Sequence, residues 1–346
     1  MIRSAGSSAT RHHRSSRTIS ASSCIVTNYC FASSRSSGER RSDMYSAEIN
    51  RKRPALLLLA IDQSFSMSEP WAQAGRSKAE ELAAAVNNML GNAVLLCSRG
   101  GEEIYNYFEV GVFGYGNGVR PVLYGSDSVN PIVPVGVVAD NPLRVDTVTR
   151  RRPDGAGGLV SVQEHMPVWV DPSANGATPM VAAFTTIEAV VASWCTAHPT
   201  SFPPIVINVT DGASTDGDPT DVGNRIRKLG TDDGAALVFN LHLSGVSTLP
   251  VHFPSSAALL PDANAAMLYE LSSELPPSML DAAAGLGYSV QAGSRGFLYN
   301  ADATAVIEFI DIGTRSVTPT GLAELTSGDG RALSANRSLP PGGEDA

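Results

Sequence analysis

The chain has 346 residues, 43% of them hydrophobic and 17% charged, enough to bury one sizeable core. Its formal net charge is −9, but residues 1–43 carry seven of the 25 basic residues and two of the 34 acids, so the remainder holds 18 basic against 32 acidic side chains, a net −14. Such a body repels phosphate backbones and has no basic stripe, which argues against a nucleic-acid partner; no apolar run approaches the roughly 18 residues of a membrane span, so no membrane segment is expected.

Residues 1–43 hold thirteen serines and no acid before Glu39, the composition of a mitochondrial transit peptide. The reading adopted is that translation starts at Met44; a targeting segment and a disordered tail are the alternatives, and residues 1–52 are set outside the folded domain. Lysine occurs only at Lys52, Lys78 and Lys228 against 22 arginines, a bias of GC-rich coding DNA that points to a high-GC bacterium. Cys24, Cys30, Cys97 and Cys195 show neither disulfide nor zinc spacing, so the expected compartment is the reducing cytoplasm.

Arg53 and Pro54 lead into the apolar run Ala55 to Ala60, whose unbroken leucines suit a central parallel strand covered on both faces. Ile61-Asp62-Gln63-Ser64-Phe65-Ser66-Met67 follows as a loop. Ser77 to Leu90 has helical spacing, with Ser77 as N-cap three residues before Glu80. Glu103 to Tyr115 alternates as a strand and pairs across Gly116-Asn117-Gly118 with Val119 to Tyr124, forming an antiparallel edge. Gly125 to Ala174 is rich in Pro, Gly, Asp and Arg and reads as a long inserted loop, at about 125–174.

Pro179 to Thr196 is predicted as a helix with proline in its first turn, where the missing amide costs nothing. Strands are predicted at Ile205 to Val209, Ala235 to Leu243 and Phe297 to Tyr299. Between them lie helices at Thr220 to Leu229, Ala263 to Glu274 and Pro277 to Leu286, with a last helix at Ala301 to Gly313. Residues 314–346 turn polar and Gly/Pro-rich and read as a disordered tail. Strands alternating with helices predict an α/β fold: a doubly wound, mostly parallel central sheet with one antiparallel edge strand and helices on both faces, over residues 53–313.

The loop after the first strand carries the chemistry. Mg2+ takes about six oxygen ligands near 2.0–2.1 Å, and short hydroxyl and carboxylate side chains on a tight turn suit it. Asp62, Ser64 and Ser66 are three such groups. Thr178, opening the helix after Asn175-Gly176-Ala177, and Asp211, ending the strand Ile205 to Val209 after Thr210, each place one more oxygen at an element end. In an open parallel sheet, loops at the carboxyl ends of the strands converge near a topological switch point.

Asp62-x-Ser64-x-Ser66, then Thr178, then Asp211, in that order, resembles the von Willebrand factor A (VWA) domain family and its metal-ion-dependent adhesion site (MIDAS). The resemblance implies a Rossmann-like fold in which Ser64, Ser66 and Thr178 contact the metal through hydroxyls while Asp62 and Asp211 act directly or through water. It implies Mg2+, or Mn2+ or Ca2+, as the cation, and a partner protein whose Glu or Asp completes the shell. Met67 with Ser68-Glu69-Pro70 is similar to the bacterial tellurium-resistance-associated members, for which a kinase, a phosphatase or a MoxR-type ATPase is the implied partner. Phe65 departs from the small residue usual at that position.

Plainer readings stand beside these. Ser, Thr and Asp also cap loops and helices, and Thr178 can cap the Pro179 helix. Asp216 and Asp218 read as turn residues, since the calcium-loop spacing counted from Asp211 fails at Ala213. Phe65 and Trp71 are either an apolar collar at the metal or packing beneath the loop, and Trp169 is expected to anchor the insertion. The six histidines have no metal-ligand spacing, and Cys195 with His198 lacks a third orienting group for catalysis. The rival function is a metal-dependent phosphatase or phosphotransferase with Asp62 as nucleophile. Against it, the haloacid-dehalogenase pattern needs an Asp where Ser64 stands, and a supporting lysine.

Overall fold

The computed structural model describes residues 44–71, 75–98, 103–153, 158–243, 249–301, 305–309 and 312. The expectations for residues 1–43 and 314–346 lie outside the described residues. In chain order the strands are β1 (Ala55–Asp62), β2 (Phe108–Gly116), β3 (Gly118–Pro121), β4 (Val133–Pro134), β5 (Arg144–Pro153), β6 (Leu159–Val168), β7 (Ile205–Thr210), β8 (Gly230–Thr231), β9 (Gly234–Ala235), β10 (Leu237–His242), β11 (Val251–His252) and β12 (Phe297–Tyr299). The helices are α1 (Lys78–Ser98), α2 (Val135–Asp140), α3 (Met180–Ala197), α4 (Thr220–Ile226), α5 (Ala263–Leu271) and α6 (Pro277–Gly285).

The main sheet runs β11-β12-β10-β7-β1-β2-β3, with β4 also on β2. Strands β12, β10, β7, β1 and β2 are mutually parallel. The expected antiparallel edge is β3, and the two-residue β11 adds a second at the opposite side. The connection from β1 leads through α1 to β2 on one side, while the chain returns through α3 to β7 on the other, so the winding reverses at β1. This is the doubly wound α/β architecture predicted from the alternation of elements.

Strand β1 is buried throughout, and its alternate side chains feed two cores. Leu57, Leu59 and Ile61 join Leu82, Val86, Met89 and Leu90 of α1, while Leu56, Leu58 and Ala60 join Phe184, Ile187 and Val191 of α3. A leucine run with no polar alternation is the sequence form of a strand covered on both faces. Helix α1 opens with the predicted capping box: the Glu80 amide donates to Ser77 Oγ at 3.2 Å and the Ser77 amide donates to Glu80 Oε2 at 2.7 Å. It then continues eight residues past the predicted end, through Gly91, which faces the Trp169 ring.

Three features differ from the sequence reading. The domain begins before residue 53. Tyr45 donates its amide to the Asp233 carbonyl and packs its ring at a tilt against Phe202, and the amides of Ser46 and Ala47 donate to the Asp233 carboxylate.

The 125–174 insertion is not a plain loop. It holds β4, α2 and a hairpin of ten residue pairs between β5 and β6. Trp169 fastens the hairpin's base, donating its indole N–H to the Val138 carbonyl at 2.6 Å and its amide to Asn87 Oδ1 of α1 at 2.8 Å.

Helix α3, with 18 residues and a mean hydropathy of 1.4, is long and apolar enough to cross a membrane, which the sequence reading did not expect. Its alanines and threonines hide a run that is apolar on average. Met180, Ala183, Phe184, Ile187, Val191 and Trp194 are buried against the sheet, as in the core helix of a folded domain.

Candidate metal centre

Asp62 is the last residue of β1 and sits at the switch point, where β7 delivers Thr210 and Asp211 alongside it. Backbone geometry shapes the loop after β1. The Ser64 amide donates to Asp62 Oδ1 at 2.8 Å, and a single 3-10 turn, Phe65–Ser68, follows, with Met67 driven fully into the core beneath it. That turn aims Ser64 and Ser66 to one side, their hydroxyl oxygens 3.0 Å apart. Ser66 Oγ donates to Asp211 Oδ1 at 2.7 Å, and Thr210 Oγ1 donates to Asp62 Oδ2 at 2.7 Å. Asp62, Ser64, Ser66 and Asp211, up to 149 positions apart in sequence, thus form one hydrogen-bonded cluster.

The loop that carries Thr178 is tied to the first loop by backbone bonds. The Asn175 amide donates to the Gln63 carbonyl at 2.6 Å and the Phe65 amide to the Gly176 carbonyl at 3.0 Å, lacing the third loop to the first. The approach is close enough to demand glycine on both sides. A Cβ on Gly116 would meet the Gln63 and Asn175 carbonyl oxygens at 2.5 Å, and one on Gly176, where φ is +99°, would meet Gly116 and Asn117 backbone at 2.6 Å. Thr178 itself is buried and clamped to the loop after β7, its amide donating to Thr215 Oγ1 and its carbonyl accepting from the Thr215 amide, both at 3.0 Å.

Two buried carboxylates side by side need positive charge nearby. Burial pushes the Asp62 carboxyl from 3.8 up to about 6; Asp211 adds to the rise, and hydrogen bonds from Ser64 and Thr210 oppose it. The sequence reading missed the group that answers this charge. Lys78, the first residue of α1, places its ammonium 2.8 Å from Asp211 Oδ2 and 2.9 Å from Glu69 Oε2. Its side chain is 4% exposed and that of Asp211 is 1% exposed. Burial opposes the Lys78 charge, but the two carboxylates outweigh it and raise the ammonium above its ordinary value. The available signal was the rarity of lysine in this chain, since a buried lysine is almost always paired.

The other candidates separate cleanly. Phe65 is 74% exposed at the rim of the cluster, whereas Trp71 is buried in the core. Asp216 caps α3: burial alone would raise its carboxyl, but the amides of Ala182 and Val181, 2.9 and 3.0 Å away, hold it below the usual range. Asp218 accepts from the Thr220 amide, again turn chemistry. Burial pushes the Cys195 thiol up to about 11, the opposite of an activated thiolate, and His198 stacks on Trp194.

Among the described residues no group of three or more His, Cys, Asp or Glu side chains is placed to hold a metal ion. The donors gathered at the switch point are instead hydroxyl and carboxylate oxygens, which suit a divalent cation. Fold and site together define an open, mostly parallel α/β domain with an oxygen cluster at its topological switch point.

No family model matches the chain, and no curated protein matches it. Among solved structures it is similar to proximal thread matrix protein 1 from the mussel byssus with a zinc-occupied MIDAS motif, at 12% identity and TM-score 0.42 over 79% of this chain and 50% of that one. It is also similar to the pilus adhesin SpaC from Lactobacillus rhamnosus GG, at 13% identity and TM-score 0.39 over 79% and 31% of the two chains. A third is the PilB minor pilin from Streptococcus sanguinis, at 8% identity and TM-score 0.40 over 78% and 63%. The chain spans half or less of the length of the first two. These likenesses are distant, and the chemistry of the site rests on its own residues.

Proposed function

We propose that this protein is a non-enzymatic, Mg2+-dependent protein-binding module, in which a Glu or Asp of a partner protein completes the cation's oxygen shell. The observation that carries the reading is the donor set: the Ser64 and Ser66 hydroxyls lie 3.0 Å apart, Asp62 and Asp211 are already hydrogen-bonded beside them, and Thr178 stands on the loop laced to theirs. A cation held mainly by neutral oxygens keeps most of its charge available for one more anionic oxygen. Asp62 fixes the loop through the Ser64 amide, Asp211 orients the Ser66 hydroxyl, and the Gly116 and Gly176 contacts hold Thr178 in reach. Phe65, exposed beside the hydroxyls, offers the partner an apolar contact at the rim. The proposed setting is a bacterial cytoplasmic signalling or stress-response assembly, with a kinase, a phosphatase or a MoxR-type ATPase as the class of partner.

Asp62 is poorly placed for the rival role of phosphoryl-transfer nucleophile. Both of its oxygens accept hydrogen bonds, and the residue is buried. The test is calorimetric titration of Mg2+ into the protein and into Asp62→Ala and Thr178→Ala, followed by affinity capture in Mg2+ or EDTA. Saturable Mg2+ binding lost in both variants, with acidic-segment partners retained only when metal is present, is the expected result. Capture indifferent to metal and to both substitutions overturns it.

A further inference from the structure

Among the described residues Lys78 brings a positive charge into the cluster, and its position is set by the fold. The Lys78 amide donates to the Glu69 carbonyl at 3.0 Å, Pro70 and Ser77 form a β-bridge, and Trp71 is buried, so the segment from the site loop to α1 closes on itself and returns the lysine to the cluster. Two bonds of its ammonium are accounted for, one to buried Asp211 and one to Glu69, whose side chain is 63% exposed. Asp211 therefore has both oxygens engaged, Oδ1 by the Ser66 hydroxyl and Oδ2 by Lys78.

Resting on the metal-binding reading above, we propose that Lys78 is a built-in competitor cation: its ammonium holds Asp211 and keeps the loops assembled without metal, and it lowers the affinity for Mg2+, a loss that the partner's carboxylate offsets on binding. Three features of the site carry this. A buried Asp211 beside a buried Asp62 needs a counter-charge to persist, and a divalent ion engaging the Ser64 and Ser66 hydroxyls shares Asp211 with that counter-charge. Like charges on one carboxylate repel, so each weakens the hold of the other. Glu69, at the surface, is the alternative seat on which the ammonium remains when Asp211 turns its charge to the metal.

The experiment compares the full chain with Lys78→Met, which keeps the unbranched side chain out to the ε position and removes the ammonium. Calorimetry is expected to show Mg2+ binding at least tenfold tighter in K78M, equivalent to about 1.4 kcal/mol. Thermal unfolding in EDTA is expected at a lower temperature than for the parent, with a larger rise on adding Mg2+. A purely structural lysine predicts lower stability in both buffers and unchanged or weaker Mg2+ binding, and that result overturns the proposal.

A second measurement needs no variant. The chain has three lysines, so the acetylation rate of Lys78, followed by peptide mass spectrometry, can be referenced to Lys52 and Lys228 in the same sample. Mg2+ is expected to speed labelling of Lys78 severalfold and leave the references alone; an unchanged or slower rate overturns the proposal even if K78M does not fold. If the parent binds Mg2+ and Lys78 responds in neither experiment, this inference alone fails. If neither the parent nor K78M binds Mg2+, the metal reading fails with it.

Discussion

Asp62→Asn should change how the metal-free protein responds to pH. Burial is the main reason the Asp62 carboxyl rises from 3.8 to about 6. A carboxyl whose folded-state value lies above its unfolded value contributes stability that is full below the unfolded value and is lost as pH rises through the folded one. For Asp62 that window runs from 3.8 to about 6. Linkage over the step from pH 7 to pH 5 then returns on the order of 1 kcal/mol to the folded state as this one group takes up its proton. Asparagine keeps both hydrogen bonds, its oxygen accepting from the Ser64 amide and its NH2 donating to Thr210 Oγ1, so the substitution isolates the charge. The assay is urea unfolding in EDTA at several pH values across that step. The parent should gain on the order of 1 kcal/mol relative to D62N on acidification. With saturating Mg2+ the parent's trend should reverse, because the cation binds the ionised carboxylate and protons compete with it. Parallel pH profiles for parent and variant in EDTA would refute the assignment of a buried, charge-coupled Asp62.

Other substitutions test the assembly of the loops and the role of the insertion. Gly176→Ala places a Cβ against Gly116 and Asn117 at a φ of +99°, and is expected to cost about 1–3 kcal/mol of stability and weaken Mg2+ binding; unchanged calorimetry would show that the third loop does not matter to the cation. Trp169→Ala should cost about 3–5 kcal/mol in urea unfolding, because the ring fills the space over Gly91. Trp169→Phe should cost about 1 kcal/mol for the lost bond to the Val138 carbonyl. With Mg2+, the parent is expected to hydrolyse p-nitrophenyl phosphate no faster than D62N; a clear excess over the variant would return Asp62 to the nucleophile reading.

Much of the architecture was written locally. The leucine run of β1 announces a strand buried on both faces, Ser77 with Glu80 announces the start of α1, and the order Asp62, Ser64, Ser66, Thr178, Asp211 places oxygens at element ends, because capping, alternation and loop chemistry act over a few residues. Where such signals conflict, the sequence misleads. The arginine run at 150–152 breaks the alternation that makes β5 and β6 a hairpin, and an average over α3 conceals which of its faces is buried.

Tertiary structure alone decided the electrostatics. Phe65 and Trp71 look alike in the sequence, yet one lies in solvent and the other in the core, because the turn after Asp62 points them apart. Lys78 and Asp211 are 133 positions apart and meet only because a closed segment returns the start of α1 to the end of β7. Burial then turns an ordinary lysine and an ordinary aspartate into a coupled pair, since charges removed from water must find one another, and no local pattern encodes which two will.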